Sequence, residues 1–354
     1  MKFLLYGANG YTGSLIAEQA GEFGLTPILA GRSEDKIRPL AERLGYEYRI
    51  FDLSETEKLE QALREVPVVL HAAGPFKFTA EPMIKACLRT GTHYLDITGE
   101  IPVFELAASL DKKAKDSNIM LMPGVGFDVV PTDCLALYLK KQLPDATHLK
   151  LAFITMGGRT SHGTAMTMVE NLSESSARRE NGKIIKEPMG QDTVQVSYNG
   201  KKWLAVSIPW GDISTAYRST GLANIRTYTG MSPSTYKWIK WKPYFNFLFG
   251  IPFVKSFIKR QIKKGPAGPT AEERNNSKTI VWGEVKNNNS GNKVQGRLIV
   301  PNGYTVTVKT SLIITKYVLG GKFHPGFKTP AGEYGEDLIM HNDVGNVTRE
   351  LISE

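Results

Sequence analysis

A glycine-rich turn near the first residue constrains the fold more than any other stretch of this sequence. In LLYGANGYTGSLIAEQA (residues 4–20), Gly7, Gly10 and Gly13 separate an apolar run from a segment whose apolar residues recur at helical spacing. In such a strand-to-helix turn the first glycine permits the tight turn, the second admits a pyrophosphate, and the third lets the helix pack on its strand. The helix N-terminus then faces the anion. The GxxGxxG spacing predicts a variant of the dinucleotide-binding turn, and a glycine-rich turn without a ligand is the alternative.

Strand and helix patterns alternate through the first 130 residues. The predicted strands cover residues 3–6, 26–32, 46–53, 67–75, 93–97 and 119–124. The helical patterns after the first one cover residues 33–45, 54–66, 81–89 and 102–117. This alternation predicts an α/β fold with a Rossmann-type, doubly wound parallel sheet. Ligands of such sheets bind at the carboxyl ends of the strands, so the turns after the first four strands are expected to surround one cofactor.

The end of the second strand indicates which cofactor this is. The strand ends in AGRS, with no acidic residue before Glu34. An acidic residue there would bind the ribose 2′-hydroxyl of NAD, whereas an arginine accommodates the 2′-phosphate of NADP. The guanidinium of Arg32 suits a phosphate dianion, and Ser33 adds a hydroxyl donor. The sequence therefore predicts NADP, and a solvated loop arginine is the alternative.

The turns after the third and fourth strands complete the predicted cofactor site. Asp52 either accepts from the adenine amino group or caps the following helix. The backbone of HAAGP (71–75) can approach the nicotinamide ribose closely because its alanines and glycine have almost no side chain, and His71 is interpreted as a core histidine. The predicted cofactor-binding residues are Gly7, Asn9, Gly10, Tyr11, Thr12, Gly13, Arg32, Ser33, Asp52, Ala72, Ala73, Gly74 and Pro75.

Several motifs together resemble the saccharopine dehydrogenase-like oxidoreductases, a group that includes saccharopine reductases and trans-acting enoyl reductases. They are GANGYTG, AGR, AAGPF, ACLRTGTHYLDITGE (86–100) and PGVGFDVVPTD (123–133). GRTSHGTAMTMVEN (158–171) and TPAGEYG (329–335) are more similar to the enoyl reductase branch. The resemblance implies NADPH between a nucleotide domain and a mixed sheet-and-helix domain. It does not extend to an amino-acid-binding set of residues.

Acid–base residues are predicted at the ends of later strands. Asp96 and Glu100 follow the fifth strand, and Asp128 follows the sixth, so each faces the edge where the cofactor is expected. The alternative for Asp96 and Glu100 is helix capping. His162 is a further candidate proton donor, with a surface or capping histidine as its alternative. No His/Cys cluster has the spacing of a metal site, so none is predicted.

The second half of the chain has a different pattern. We expect a dinucleotide-binding domain over 1–130, an α+β domain for substrate binding or dimerisation over 131–325, and a segment 326–354 that returns to the first domain. Residues 147–156 predict a strand, and residues 192–210 predict a hairpin turning at Asn199 and Gly200. Residues 279–314 predict several antiparallel strands, so the second sheet is expected to be mainly antiparallel.

Residues 236–264 are unusually basic and aromatic. They hold nine aromatic residues and eight lysines or arginines, and no acidic residue lies between Asp212 and Glu272. Two prolines, Pro243 and Pro252, predict two short helices. The segment is interpreted as a peripheral membrane contact, a lid over a lipid-like substrate, a dimer contact, or a helical pair packed on its own domain. Nucleic-acid binding is disfavoured because nothing else resembles a nucleic-acid-binding module.

Composition and function complete the sequence-based expectations. The 354 residues are 41% hydrophobic, which is ordinary for a globular protein. The two cysteines, Cys87 and Cys134, predict reduced thiols in a cytoplasmic protein. The protein is also expected to form a homo-oligomer and to be either free or peripheral at a membrane. The predicted function is NADPH-dependent hydride transfer to an apolar or lipid-like carbonyl or enoyl compound. The alternatives are an imine or amino-acid reductase of the saccharopine type, and a non-catalytic NADP-binding protein associated with a membrane or partner.

Overall fold

The described part of the chain forms two units, and each has a sheet of its own. A computed structural model describes residues 1–170, 175–237, 239, 252–262 and 264–352. The first unit comprises Met1–Val130 and Tyr304–Glu333, and the second comprises Pro131–Gly303 and Tyr334–Glu354. The chain therefore leaves the first unit, builds most of the second, returns to the first, and ends in the second.

The elements are numbered along the chain. The strands are β1 (Lys2–Tyr6), β2 (Thr26–Gly31), β3 (Tyr48–Ile50), β4 (Val68–His71), β5 (His93–Asp96), β6 (Met120–Met122), β7 (His148–Met156), β8 (Ser176–Glu180), β9 (Lys183–Glu187), β10 (Thr193–Tyr198), β11 (Lys201–Ile208), β12 (Asn224–Gly230), β13 (Lys278–Lys286), β14 (Lys293–Pro301), β15 (Gly326–Phe327) and β16 (Thr348–Ile352). The helices are α1 (Tyr11–Gln19), α2 (Glu34–Leu44), α3 (Thr56–Arg64), α4 (Phe76–Thr90), α5 (Ile101–Ser109), α6 (Asp111–Asp116), α7 (Val130–Gln142), α8 (His162–Glu170), α9 (Asp212–Thr220), α10 (Pro252–Ile262), α11 (Ala271–Asn275), α12 (Gly303–Leu319) and α13 (Pro330–Tyr334). Short 3-10 turns occupy Ala20–Phe23, Leu338–Met340 and Asn342–Val344.

The first unit contains the predicted doubly wound sheet. Its strands lie in the order β15-β6-β5-β4-β1-β2-β3, and every neighbouring pair is parallel. The order reverses beside β1, so the turn after β1 lies at the switch point where such sheets bind ligands. Leu4, Val69 and Tyr94 pack in one core with residues of α3 and α4. The predicted fold class is therefore confirmed.

Two of the predicted helices in this unit have different bounds. Helix α4 begins at Phe76 instead of residue 81, directly after Pro75. The helix predicted over 102–117 is divided into α5 and α6 around Leu110. The early start of α4 matters because it brings a helix N-terminus to the end of β4.

Residues 303–319 form a helix, so the prediction that strands continue as far as residue 314 is wrong. Strands β13 and β14 form the expected antiparallel pair, but the chain then enters helix α12. Its β-branched residues gave a strand pattern, which burial of the helix overrides. Thr310 is fully buried, and its hydroxyl lies 2.8 Å from the Val125 carbonyl oxygen and 2.9 Å from that of Val306. Helix α12 is thereby fixed to the loop that follows β6.

The second sheet is mixed and mainly antiparallel, as predicted. Its main path is β10-β11-β12-β7-β13-β14-β16. Strand β8 pairs with β12, and β9 pairs with β8. Strands β7 and β12 are parallel. The hairpin of β10 and β11 turns at Asn199 and Gly200, whose φ angles of 47° and 71° fit a tight two-residue turn. Strand β16 pairs with β14. The first unit includes Tyr304–Glu333, and Tyr334–Glu354 belongs to the second.

Nearly half of the basic aromatic segment lies outside the described residues. Of the two helices expected over 236–264, α10 is described, and positions 238, 240–251 and 263 are not. Within the described ranges no helix is both long and apolar enough to cross a membrane. Cys87 and Cys134 are both buried and unbridged.

Candidate functional site

The turn between β1 and α1 is built from backbone contacts that only glycine permits. A β-carbon at Gly13 would lie 2.3 Å from the Gly7 carbonyl oxygen, so α1 packs directly on the turn. Gly7 has a φ angle of 86°, and a β-carbon there would lie 2.8 Å from Ala73. At Gly10 a β-carbon would have one neighbour within 4 Å, the Gly7 carbonyl oxygen at 3.3 Å. Gly10 is exposed, so its side of the turn is open to an incoming group.

The end of β2 presents cation and hydroxyl groups beside this turn. Arg32 is exposed, and Ser33 is the N-cap residue of α2 without a side-chain capping hydrogen bond. The first N–H groups of α2 therefore lie next to a guanidinium and a hydroxyl, which is a donor set for a phosphate. Asn9 reaches across from the glycine turn, because its Oδ1 would lie 3.1 Å from a β-carbon at Gly31.

Asp52 organises the turn after β3. Its Oδ1 accepts from the Ser54 backbone N–H at 3.0 Å and from the Ser54 hydroxyl at 2.8 Å. These hydrogen bonds lower the pKa of Asp52, so the carboxylate is ionised at neutral pH. The Asp52 N–H donates to Glu55 at 2.8 Å. These contacts close a turn before α3, whose N-cap residue is Glu55, so Asp52 does not cap that helix. The adenine contact remains a prediction.

The loop of residues 72–75 lies against the glycine turn. The Ala72 N–H donates to the Tyr6 carbonyl oxygen at 2.7 Å, and the Thr79 hydroxyl donates to the Ala73 carbonyl oxygen at 2.7 Å. Gly74 is exposed, while Ala72, Ala73 and Pro75 are half-buried. The loop therefore offers a backbone surface held from both sides. Thr79 was not predicted, and its position four residues into α4 was hidden by the late predicted start of that helix.

Glu100 caps a neighbouring helix. Its two carboxylate oxygens accept from the N–H groups of Phe76, at 2.8 Å, and Lys77, at 2.9 Å. A carboxylate is stabilised at a helix N-terminus by these unpaired N–H groups and by the helix dipole. The predicted capping alternative therefore describes Glu100, although the capped helix is α4 and not the helix that follows it in sequence. This contact fixes the start of α4 next to the 72–75 loop.

Asp96 is fully buried at the end of β5. It accepts from the Tyr94 hydroxyl at 2.6 Å and from the N–H groups of Thr98 and Gly124, both at 2.9 Å. Burial raises the pKa of Asp96 to about 7 despite these donors. The residue joins the ends of β5 and β6, which is a structural task independent of any acid–base role.

Asp128 lies against Gly99, the residue that precedes Glu100. A β-carbon at Gly99 would lie 2.8 Å from the Asp128 Oδ2, so the absence of a side chain there leaves room for this carboxyl. Burial and, second, the charge of Glu100 raise the pKa of Asp128 to about 7. The Phe127 N–H donates to the Thr307 hydroxyl at 3.0 Å, which fixes the backbone beside it to α12. A proton on Asp128 is thus available near neutral pH.

His162 belongs to the second unit, where it joins the start of α8 to a segment about 100 residues later in the sequence. Its Nε2 donates to the Gly265 carbonyl oxygen at 3.0 Å, and its N–H donates to the Ala267 carbonyl oxygen at 2.8 Å. These contacts are those of a structural histidine, and its role as a proton donor stays a prediction. Among the residues described, no group of three or more His, Cys, Asp or Glu side chains has the arrangement of a metal site.

The remaining predicted residues belong to the start of α1. Tyr11 and Thr12 are half-buried, and the Tyr11 ring meets that of Tyr304 edge-on with 5.0 Å between centroids. Tyr304 was missed because its segment was predicted as a strand. Tyr304 stands at the start of a Thr-rich stretch, and nothing in that local pattern indicates a contact with Tyr11, which is distant in sequence.

Comparison with known proteins identifies relatives of this chain. Residues 3–122 match the family model of the saccharopine dehydrogenase NADP binding domain. A saccharopine dehydrogenase-like oxidoreductase of Mus musculus is 27% identical over 173 residues, covering 43% of this chain and 40% of that protein. The chain therefore spans about two fifths of that relative's length. A trans-acting enoyl reductase of Mycobacterium tuberculosis is 30% identical over 199 residues, which are 52% of this chain and 48% of the relative.

Two further comparisons extend over most of the chain. A lipid droplet localized protein of Caenorhabditis elegans is 24% identical over 328 residues, covering 79% of this chain and 77% of that protein. The solved structure of apo saccharopine dehydrogenase (L-Glu forming) from Saccharomyces cerevisiae superposes with a TM-score of 0.68 at 12% identity, over 99% of this chain and 100% of that chain. The resemblance predicted from the motifs is confirmed, and so is the fold.

Asp96 gives a test of the electrostatics at the end of β5. Its pKa of about 7 lies above the value of about 4 expected for the unfolded chain, so the folded state keeps a proton that the unfolded state loses between these values. Asp96 therefore reduces the free energy of unfolding as the pH rises through this range. The variant Asp96→Asn keeps the hydrogen-bonding shape without the titration. Urea unfolding at pH 5 and pH 8 should show the variant gaining stability relative to the parent, and a constant difference contradicts the assignment.

Proposed function

We propose that this protein is an NADPH-dependent oxidoreductase acting on an apolar or lipid-like carbonyl or enoyl compound. Residues 3–122 match the family model of the saccharopine dehydrogenase NADP binding domain, which supports the proposal. The observation that carries the proposal is the exposed backbone at Gly10. It lies beside the exposed Arg32 and the hydroxyl of Ser33, which makes no capping hydrogen bond. A backbone opening next to a phosphate-binding set is what a dinucleotide with a 2′-phosphate requires.

Each part of the cofactor has a proposed place on the first unit. The pyrophosphate would lie against Gly10 at the start of α1, the 2′-phosphate would bind Arg32 and Ser33, and the adenine amino group would donate to Asp52. The nicotinamide ribose would lie against the 72–75 loop. When bound, NADPH supplies a hydride, and the protein orients both reactants and supplies the proton.

We assign the proton to Asp128. Its pKa of about 7 leaves a substantial fraction of the carboxyl protonated at neutral pH, which suits a general acid. Asp96 and Glu100 are engaged by backbone N–H groups, so their carboxylates position the ends of β5, β6 and α4. The lipid-like substrate is supported by the 30% identity to a trans-acting enoyl reductase.

A second proposal concerns contact with an anionic lipid surface. Phe253 on α10 is 78% exposed, and Met168 on α8, a helix that packs against α10, is 53% exposed. Residues 213–271 carry ten lysines and arginines and no acidic residue. Large apolar side chains beside basic residues are suited to insertion among anionic headgroups. The similarity to a lipid droplet localized protein over most of the chain supports this proposal.

The cofactor assignment is tested with Arg32→Ala. Loss of a charge-assisted hydrogen bond costs about 1.5–3 kcal/mol, so the Kd for NADPH should rise roughly tenfold to a hundredfold. The Kd for NADH should hardly change, because NADH has no 2′-phosphate. Both constants are measured by titration calorimetry, with Arg38→Ala, on the exposed face of α2 and paired with Glu42 at 2.9 Å, as the control. Equal losses for the two cofactors would reject the assignment.

The reaction is tested by following NADPH consumption with enoyl, ketone and imine compounds. With an accepted substrate, the rate should fall as the pH rises through about 7, because Asp128 loses its proton. Asp128→Asn should lower kcat by about two to four orders of magnitude and remove this pH dependence. Turnover of imines alone would favour the saccharopine-type alternative. NADPH binding without turnover of any compound would favour the non-catalytic alternative.

The lipid contact is tested by flotation with phosphatidylcholine vesicles that contain phosphatidylserine. Binding should weaken as salt is added, because the attraction of lysines and arginines to the surface is screened. The double variant Phe253→Ser and Met168→Ser should lose most of the binding that remains at high salt. Ile185→Ser, which changes an apolar residue that is 37% exposed on β9, is the control. A parent protein that ignores these vesicles at low salt contradicts the proposal.

A further inference from the structure

His71 and Thr79 form a hydrogen-bonded pair behind the 72–75 loop. His71 Nε2 lies 2.9 Å from the Thr79 Oγ1, which itself lies 2.7 Å from the Ala73 carbonyl oxygen and 3.3 Å from that of Pro75. A hydroxyl has one hydrogen to donate, and the shorter contact shows that it goes to Ala73. The Thr79 oxygen must then accept from His71, so Nε2 carries the imidazole proton.

The surroundings of His71 maintain this arrangement. The side chain is fully buried, and burial lowers its pKa to about 3, so the ring is neutral at physiological pH. The rings of Tyr6, Phe76 and Tyr94 lie around it, with centroids 5.3–6.3 Å away. Its Nδ1 has no hydrogen-bond partner in the described part of the chain. A buried nitrogen without a partner is costly, so the ring orientation is retained for the contact that Nε2 makes.

The loop that this pair holds is also constrained from its other side. A β-carbon on Gly7 would lie 2.8 Å from Ala73. The Ala72 N–H donates a hydrogen bond to the Tyr6 carbonyl oxygen. The pair therefore determines where the Ala73 carbonyl lies relative to the glycine turn. We propose that His71 and Thr79 are positioning residues that set the 72–75 loop for the nicotinamide half of the cofactor, an inference that rests on the proposed function.

Two ligands separate this role from general stability. NADPH would contact the 72–75 loop, whereas 2′,5′-ADP carries only the adenine half and would contact the Arg32 end of the site. Thr79→Val keeps the shape of the side chain but releases the Ala73 carbonyl oxygen. It should raise the Kd for NADPH about tenfold and leave the Kd for 2′,5′-ADP within about twofold, as measured by calorimetry. Thr79→Ser retains the hydroxyl and should bind NADPH nearly as tightly as the parent.

The other outcomes overturn the inference in distinguishable ways. If Thr79→Val binds NADPH like the parent, the pair does not position the loop, and the proposed function is unaffected. Equal weakening of both ligands in Thr79→Val, or failure of Thr79→Ser to restore NADPH binding, means that the residue serves the fold generally. A parent protein that binds neither NADPH nor 2′,5′-ADP overturns both this inference and the proposed function.

Discussion

The direct contact of backbone with backbone around Gly7 and Gly13 is the constraint on which the first unit depends. With a β-carbon at Gly13 only 2.3 Å from the Gly7 carbonyl oxygen, and one at Gly7 only 2.8 Å from Ala73, helix α1 and the 72–75 loop approach the turn as closely as atoms permit. Hard-sphere contact leaves little freedom in such an arrangement, unlike side-chain packing, which can adjust. Gly10 lies between these contacts and is exposed, so an anion can reach the backbone there.

Three carboxyl groups near the end of β5 illustrate how different surroundings give one residue type different tasks. Glu100 accepts from the first N–H groups of α4, and Asp96 accepts from N–H groups in the loops that follow β5 and β6. Asp96 is fully buried and Glu100 is half-buried. The hydrogen bonds that hold the loops also offset the loss of water around these two carboxyl groups. The negative charge of Glu100 opposes the ionisation of Asp128. Burial raises the pKa of both Asp96 and Asp128 to about 7.

Sequence-based predictions are confirmed where local pattern determines the structure, and they are wrong where contacts between distant residues determine it. Glycine spacing and strand–helix alternation were sufficient for the parallel sheet and the turn after β1, and Asn199 with Gly200 was sufficient for the hairpin. Helix α12 was missed because its Thr and Val residues favour strands until burial against the loop of residues 125–127 is known. The capping of α4 by Glu100 joins residues 24 apart in sequence, and no spacing rule predicts it. The same holds for Thr79 and His71, whose pairing depends on where α4 begins.

The return of Tyr304–Glu333 to the first unit has a consequence for biosynthesis. When residues 1–130 have left the ribosome, β6 still lacks its neighbour β15, and the Phe127 N–H still lacks the Thr307 hydroxyl. The dinucleotide turn can form early, since its contacts are local to β1, β2 and β4. The loop that carries Asp128 acquires its final support only after nearly all of the second unit has been translated. The loop around Asp128 is therefore completed late in the synthesis of the chain.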